Sequence, residues 1–554
     1  MLSILQPLLL FSALYLNVEA LPQITRTGRY LFDTSGNRFY IKGVAYQPPG
    51  VVIQSADNPF GTPSTFTDPL ADTAGCQRDL PFLKQLGVNT IRSYAVNSSL
   101  NHDGCMNLFS QNNIYVILDL ELPLNGSINP LAPAWSTNLL DEYITTMEVF
   151  SKYDNVLAFN VGNEVVQSST TGIAPFIKSA ARDVKAYLAS TGAKTLVGYG
   201  SIDMATDVKS ALANFLSCDP TGQNDGSTSI DLFGLNNYEW CGASTFEDSY
   251  AGVTNAFANY NVVAYFAEFG CITKPPRLWT ETEALFGSQM TTVWSGGLAF
   301  SYFPSVSNDG QFGLVNISAD GSTVTTGSDF NTLQTEYAKV SFINTPTQAA
   351  APAAAFPSCA APTSDFVAAN VLPGTPSESA CDCVKSALSC EFTPATTNTS
   401  AIIGSLTDLA CQFLGQASLN CNDISSNGTT GVFGVMAQCD PSVKLSYVMS
   451  LYYESQNRNA MACSFAGNGT VNAAVTASAS SVASSCIASP SSVFTPSAVS
   501  TPSQVTQPPN TNTGSGGSSG GSGSGSKSGA ETQAVYGVGM MVVISLVSAA
   551  WTFA

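Results

Sequence analysis

Two glutamates stand where runs of buried-type residues give out. Glu164 closes Phe159–Asn160–Val161–Gly162–Asn163–Glu164, and Glu268 sits within Tyr265–Phe266–Ala267–Glu268–Phe269–Gly270. A charge placed directly after an apolar strand needs a reason, because glutamate is almost never buried unless it is paired. Two carboxylates facing each other across one cleft can break a glycosidic bond with retention. One protonates the leaving oxygen and the other attacks, across a separation of about 5 Å. Either glutamate alone reads as well as a strand-end residue that caps the next helix or pairs with Arg92. The pair points to catalysis. Other chemistries lack material: the single histidine, His102, lies in a polar stretch, which argues against His-based zinc sites and Ser–His–Asp catalysis. The acidic residues show no calcium-loop spacing, and no cofactor or metal is expected.

Positioning such a pair requires a scaffold, and the chain between Tyr30 and Phe303 supplies a periodic one. Short β-branched runs recur at Phe39–Ala45, Asn89–Val96, Ile114–Leu120, Val156–Val161, Thr195–Gly200, Leu232–Asn237, Val262–Phe266 and Gly297–Phe303. Helix-like stretches such as Leu139–Tyr153 and Ile173–Leu188 separate them. Continuous apolar strands alternating with helices predict a parallel sheet covered on both faces. Eight units over about 270 residues fit a (β/α)8 TIM barrel, with a doubly wound sheet as the alternative. The barrel is preferred because its chemistry sits at the C-terminal strand ends, where Glu164 and Glu268 fall on the fourth and seventh runs.

The 554 residues suffice for two or three domains, and the net charge of −19 disfavours nucleic acid as a partner. Residues 1–20 carry an apolar core and end Val18–Glu19–Ala20, the pattern of a cleaved secretory signal. Residues 489–530 pass from Ser/Thr/Pro to Gly/Ser and cannot bury a core, which makes them a stalk. Residues 531–554 end in an apolar run with no basic residue after it. A spanning helix is the alternative, but the missing positive flank favours a GPI-anchor signal, with Ser528 among the candidate attachment residues. The expected address is the outer face of the plasma membrane and the cell wall. Asn97, Asn125, Asn316, Asn398, Asn427 and Asn468 head N-glycosylation sequons. No feature argues for an oligomer, so a monomer is expected.

Longer strings carry a resemblance. Gly162–Asn163–Glu164–Val165, Asn236–Asn237–Tyr238–Glu239–Trp240–Cys241–Gly242 and Ala267–Glu268–Phe269–Gly270–Cys271 closely resemble the fungal β-1,3-glucanosyltransferases of glycoside hydrolase family 72. Ile41–Lys42–Gly43–Val44–Ala45–Tyr46–Gln47 and Val88–Asn89–Thr90–Ile91–Arg92–Ser93–Tyr94 do so too. The resemblance implies that Glu164 is the acid/base and Glu268 the nucleophile on a β-1,3-glucan donor, with a second glucan chain as acceptor. It implies that Asn163 holds the sugar 2-hydroxyl and Tyr238 holds Glu268. Tyr94, Gln47, Asp119 and Tyr302 would line the sugar subsites, and the loop from Glu121 to Asn129 would bind substrate. Asp203 aligns with a subsite aspartate. Five residues later the family usually carries arginine, where this chain has Val208 followed by Lys209. Serine usually precedes the nucleophile, where this chain has Ala267. A hydrolase using the same glutamates, or a non-catalytic wall-binding protein, are the competing functions.

The catalytic barrel is expected over 21–348, a linker wrapping onto it over 349–375, and a second module over 376–488. Eight cysteines crowd this last stretch, the density of a small disulfide-stapled domain, and eight allow about 105 pairings. The pattern looks like the mainly helical, cysteine-rich carbohydrate-binding module of family 43. That resemblance implies Cys381–Cys439, Cys383–Cys486, Cys390–Cys463 and Cys411–Cys421, and in the barrel Cys76–Cys105, Cys218–Cys359 and Cys241–Cys271. Tyr452 and Tyr453 are candidates to help hold glucan, with core packing as the alternative.

Overall fold

The computed structural model describes residues 21–50, 65–123, 126–307, 310–396 and 399–498. The leader, Ser528, the apolar tail and the sequons at Asn125 and Asn398 lie outside these residues. Eight strands form a closed barrel: β1 (Ile41–Ala45), β2 (Thr90–Ser93), β3 (Tyr115–Asp119), β4 (Val156–Asn163), β5 (Leu196–Ile202), β6 (Leu232–Asn236), β7 (Val263–Phe269) and β8 (Trp294–Ala299). Each strand pairs in parallel with its sequence neighbours, and β8 closes onto β1. All eight apolar runs thus become barrel strands, and the doubly wound alternative is excluded.

Helices cover the barrel: α1 (Thr73–Leu86), α2 (Asp103–Ser110), α3 (Thr137–Phe150), α4 (Ala174–Thr191) and α5 (Thr206–Ser217) are the longest of those between β1 and β6. Local sequence sets their ends. Asp72 caps α1 by accepting from Gly75 N–H at 3.0 Å, and Gly87 stops it at φ 62°, a conformation a side chain would strain. The strand pleat divides the apolar residues into two sets. Val116, Leu118, Phe159, Val161, Ala264 and Phe266 pack outward against helices. Ile41, Ile117, Leu157, Leu232, Tyr265 and Leu298 fill the barrel interior.

The first run begins earlier in sequence than β1, and the excess belongs elsewhere. Arg38–Phe39 pairs with Tyr30–Phe32, which pairs with Thr25–Thr27, in an antiparallel ribbon. Leu21, Ile24 and Leu31 of this segment join the interior cluster. They close the barrel on the side away from the glutamates, so the opposite end alone is left as the mouth.

The second module gathers α6 (Glu378–Lys385), α7 (Ser400–Gln416), α8 (Pro441–Ser455) and α9 (Ala479–Cys486) around Val384, Leu414, Leu445, Tyr447 and Met449. The seven disulfides are those the resemblance implies. Cys218–Cys359 ties the connecting segment to the end of α5. Further on, Arg182 of α4 donates to Pro373 O at 2.8 Å, and Thr375 Oγ1 donates to Asp183 at 2.8 Å. The module meets the barrel directly where Thr137 N–H donates to Gln438 O at 2.9 Å and Phe176 meets Phe433 edge-on. After α9 the chain returns to this seam: Thr375 N–H donates to Ser492 O, and Phe494 N–H to Thr375 Oγ1. Tyr453 is buried in the module core, while half-buried Tyr452 stacks on Phe413 at 5.0 Å.

Candidate active site

Strict alternation would point Glu268 away from the mouth. Along β7, Val263, Tyr265 and Ala267 face inward, so residue 268 should face the helices. The pairing of β7 with β6 shifts register between Phe266 and Glu268. Such a bulge adds a residue on one strand and re-aims the side chains beyond it. Glu268 turns into the barrel, and Phe269 turns out into the helix-facing core. The same device occurs on β4, whose pairing with β5 slips between Asn160 and Asn163. Asn160 points inward onto Asp119, and after the slip Asn163 points inward too. Glu164 then adopts φ 57°, a left-handed conformation that costs a non-glycine residue roughly 1–3 kcal/mol and clusters at functional sites. Its N–H is held by Gly200 O at 2.9 Å.

The two glutamates are held differently. Glu268 is fully buried; it accepts from Tyr94 OH on Oε1 and from Tyr238 OH on Oε2, each at 2.7 Å. Arg92 Nη1 lies 3.7 Å from Oε1. Burial raises the pKa of Glu268, and the Arg92 charge and both phenols pull it back by stabilising the carboxylate. Glu164 has one side-chain donor, Asn236 Nδ2, at 2.7 Å from Oε1. Burial first and the Glu268 charge second push its pKa up to about 8. One group is thus furnished to stay ionised and its neighbour to stay protonated, the split that acid and nucleophile roles require.

Arg92 organises the floor. Its buried guanidinium takes Asp119 in a two-pronged pair, at 3.1 Å from Nε and 2.6 Å from Nη2, and Nη2 also donates to Asn163 Oδ1 at 2.9 Å. Asn160 donates to Asp119 at 2.7 Å. Asn163 Oδ1 also accepts from Asn236 at 3.2 Å. With its oxygen taken twice, the Asn163 amide has a fixed sense and leaves its NH2 to donate, as a sugar hydroxyl would require. Its backbone N–H donates to Glu121 at 2.6 Å, and burial above all lifts the Glu121 pKa to about 8.

The remaining residues expected at the site lie at different depths. Tyr94, Tyr238, Asn163 and the two glutamates converge at the mouth. Gln47 and Asp119 are buried beneath it, at 4% and 1% exposure. Gln47 Oε1 accepts from Ser93 Oγ and from the N–H groups of Tyr94 and Ala95, so it fixes the β2 loop from below. Asp203 stands at the rim with Asn237 Nδ2 at 2.8 Å and Lys209 on its other oxygen. Asn129 is exposed and caps a turn by accepting from Leu131 N–H.

Tyr302 departs from expectation. Its side chain is fully buried, with its ring against Tyr46 and Phe303 in the helix-facing core, where no sugar reaches it. Phe300, the residue just beyond β8, is the one that meets Tyr94 and Tyr238 edge-on, each at 6.4 Å. β8 ends at Ala299, and the irregular chain after it fixes which ring faces the mouth. Arg92, Asn236 and Phe300 are the contributors that sequence reasoning left without a site role. A second asparagine at the end of an apolar strand was the available signal for Asn236. Among the described residues no cluster of three metal-ligating side chains occurs.

A parallel eight-stranded barrel with paired glutamates at the C-terminal ends of β4 and β7 defines a glycosidase-type carbohydrate-active enzyme. Comparison with known proteins places it further. Residues 13–341 match the glucanosyltransferase family, glycoside hydrolase family 72, and residues 388–470 match the X8 domain. The chain belongs to that glucanosyltransferase family. It is 38% identical to 1,3-beta-glucanosyltransferase gas1 of Schizosaccharomyces pombe over 461 residues, covering 82% of this chain and 79% of that protein. Protein EPD1 of Candida maltosa is also 38% identical, over 83% of this chain and 80% of its own length. The Saccharomyces cerevisiae Gas2p apostructure superposes with a TM-score of 0.72 at 35% identity, covering 82% of this chain and 93% of that one. Gas2p in complex with laminaritetraose and laminaripentaose matches with a TM-score of 0.72 at 33% identity, over 84% of this chain and 98% of that one.

Proposed function

We propose that this protein is a 1,3-β-glucanosyltransferase that cleaves a β-1,3-glucan and joins the new reducing end to the non-reducing end of a second chain. The observation that carries the mechanism is the unequal furnishing of the two glutamates. Glu268, with two phenols and Arg92 stabilising its anion, attacks the anomeric carbon. Glu164, held protonated by burial and by Glu268, delivers its proton to the departing sugar oxygen. A covalent glucosyl–Glu268 ester forms. Ionised Glu164 then takes the proton from the acceptor hydroxyl as that oxygen attacks the same carbon, and Glu268 leaves. Asn163 donates to the donor 2-hydroxyl through the amide group that Arg92 and Asn236 leave free.

Transfer is favoured over hydrolysis by relatives that carry the glucanosyltransferase name, and the laminari-oligosaccharides bound to Gas2p support a β-1,3-glucan substrate. The protein acts at the cell wall, with a leader, a glycosylated stalk and a GPI anchor holding it outside the membrane. Asn316 and Asn427 are exposed sequon asparagines, while Asn97 and Asn468 are half-buried. The test is incubation of the purified protein with reduced laminarin oligosaccharides, products sized by chromatography. Products longer than the input, absent with Glu164→Gln and Glu268→Gln, are expected. Shorter products alone would replace the transferase with a hydrolase; no products from folded protein would leave a wall-binding role.

A further inference from the structure

Arginine carries its donors in one rigid plane, so a buried one fixes whatever its fork grips. Arg277, in the irregular chain after β7, is buried and pairs with Asp329 through Nε at 2.6 Å. That pair leaves both Nη groups free for other partners, and they turn to backbone. Nη1 donates to Phe300 O at 2.8 Å, and Nη2 donates to Phe312 O. The guanidinium also lies over the Trp279 ring, 4.5 Å from its centre. The two carbonyls it grips belong to the rings behind the phenols of the site. Phe300 and Phe312 are both buried and meet edge-on at 5.2 Å. Phe300 meets Tyr94 and Tyr238, and Phe312 meets Tyr238 at 5.6 Å. Neither phenylalanine stands in a strand: β8 ends at Ala299, and Phe312 follows the short pairing of Gly310–Gln311. Their N–H groups bond separately, to Phe269 O and to Ser305 O. Arg277 joins their carbonyls.

We infer that Arg277 is a positioning residue for the nucleophile: by locking Phe300 to Phe312 it backs the rings of Tyr94 and Tyr238, so that both hydroxyls stay on the carboxylate of Glu268. The inference rests on the nucleophile role of Glu268 proposed above, and it holds whether sugar or water completes the reaction. The Glu268 oxygens take the two phenols and face Arg92, so Arg277 acts on them through the aromatic wall. A phenol that swings away removes a hydrogen bond to the anion, which raises the pKa of the carboxyl and loosens its aim. The charged and titratable groups facing Glu268 are Arg92, Asp119, Glu164, Tyr94 and Tyr238. The two tyrosines are packed with Phe300 and Phe312, whereas Arg92 and Asp119 bind each other beneath. Attack requires the ionised carboxylate, so the rate falls as pH drops through the pKa of Glu268. Raising that pKa moves the acidic limb upward. The alkaline limb stays, because Asn236 still holds Glu164.

The test compares the unaltered protein with Arg277→Met and Arg277→Lys on reduced laminari-oligosaccharides, reading kcat/KM for donor consumption across the pH range. Loss of about one hydrogen bond to the charged carboxylate predicts, for Arg277→Met, a fall of about tenfold at the optimum and an acidic limb moved up by about 1 unit. The alkaline limb is unmoved. Arg277→Lys keeps the charge but has no planar fork to bridge two carbonyls, and it shows the same move. If Arg277→Met does not fold, Phe300→Leu, which keeps the gripped carbonyl and removes the ring, must move the same limb. A folded Arg277→Met with its acidic limb in place, at any rate, overturns the inference, since a merely structural role scales the profile without moving it. Full restoration of the limb by lysine overturns it too, by assigning the effect to charge. If Glu268→Gln still consumes donor, the nucleophile role fails and this inference with it; an inactive Glu268→Gln beside an unmoved limb in Arg277→Met removes the inference alone.

Discussion

Removing the Asn236 amide isolates the acid/base. In Asn236→Ala, Glu164 loses its one side-chain donor, at 2.7 Å. A hydrogen bond to the charged form stabilises that form, so its loss raises the pKa. Hydrogen bonds to charged groups are worth about 1.5–3 kcal/mol, and 1.36 kcal/mol corresponds to one pKa unit, so the rise should be about 1–2 units. Glu164 begins at about 8 and must be protonated to cleave. The alkaline limb of kcat/KM for donor cleavage should therefore start near pH 8 and move upward by about 1–2 units in the variant. The maximal rate should also drop, because Asn236 supports Asn163 at 3.2 Å. The assay is the initial rate of donor consumption from pH 4 to 10, with stability checked at each end. A competing source of the limb is built into the site: Glu121 is also raised to about 8 but does not touch Asn236. A limb that stays in place would assign it to Glu121 and refute the acid role argued for Glu164; a downward move would refute the hydrogen-bond reasoning itself.

Two further outcomes are set by the geometry. Tyr238→Phe removes one of the two phenol donors on Glu268 and should lower kcat by about tenfold or more with the fold intact, whereas Tyr302→Phe should leave donor KM in place. Parallel effects in steady-state kinetics would put Tyr302 back in the groove. Cys241→Ala with Cys271→Ala opens a loop of 30 residues and should cost about 3–4 kcal/mol on denaturant unfolding. Because that bridge joins the Tyr238 segment to the Glu268 strand end, kcat should fall before the protein melts.

The strand plan and both glutamates were legible because a parallel barrel writes itself as repeated apolar runs, and a charge at the end of such a run stands out. The features that stayed hidden depend on register. Inward and outward sets alternate by one residue, and nothing in Phe266–Ala267–Glu268 announces the bulge that reverses them. The choice of Phe300 over Tyr302 beyond the end of β8 is hidden likewise, since both are aromatic and two residues apart. Arg92 was visible only as a possible partner of a glutamate, because its pairing with Asp119 joins different strands. The ribbon that closes the barrel blurred into the first run because Phe39 and Ile41 are equally apolar while belonging to different sheets. Lys209 lies one position beyond the site of the family arginine, and sequence alone could not say that its ammonium reaches Asp203.

The return of Ser492–Phe494 to the barrel seam has a mechanical consequence. The second module is inserted between Thr375 and Ser492, two positions hydrogen-bonded to each other, and Thr375 is fastened to Asp183 of α4. Tension applied to the chain beyond residue 498 enters at Phe494, passes to Thr375, and is taken up by the barrel. The helices of the module hang beside that load path like a side branch. A tether pulling from the C-terminal side would thus strain the seam on α4 while leaving the module's disulfide core and the mouth of the barrel unloaded.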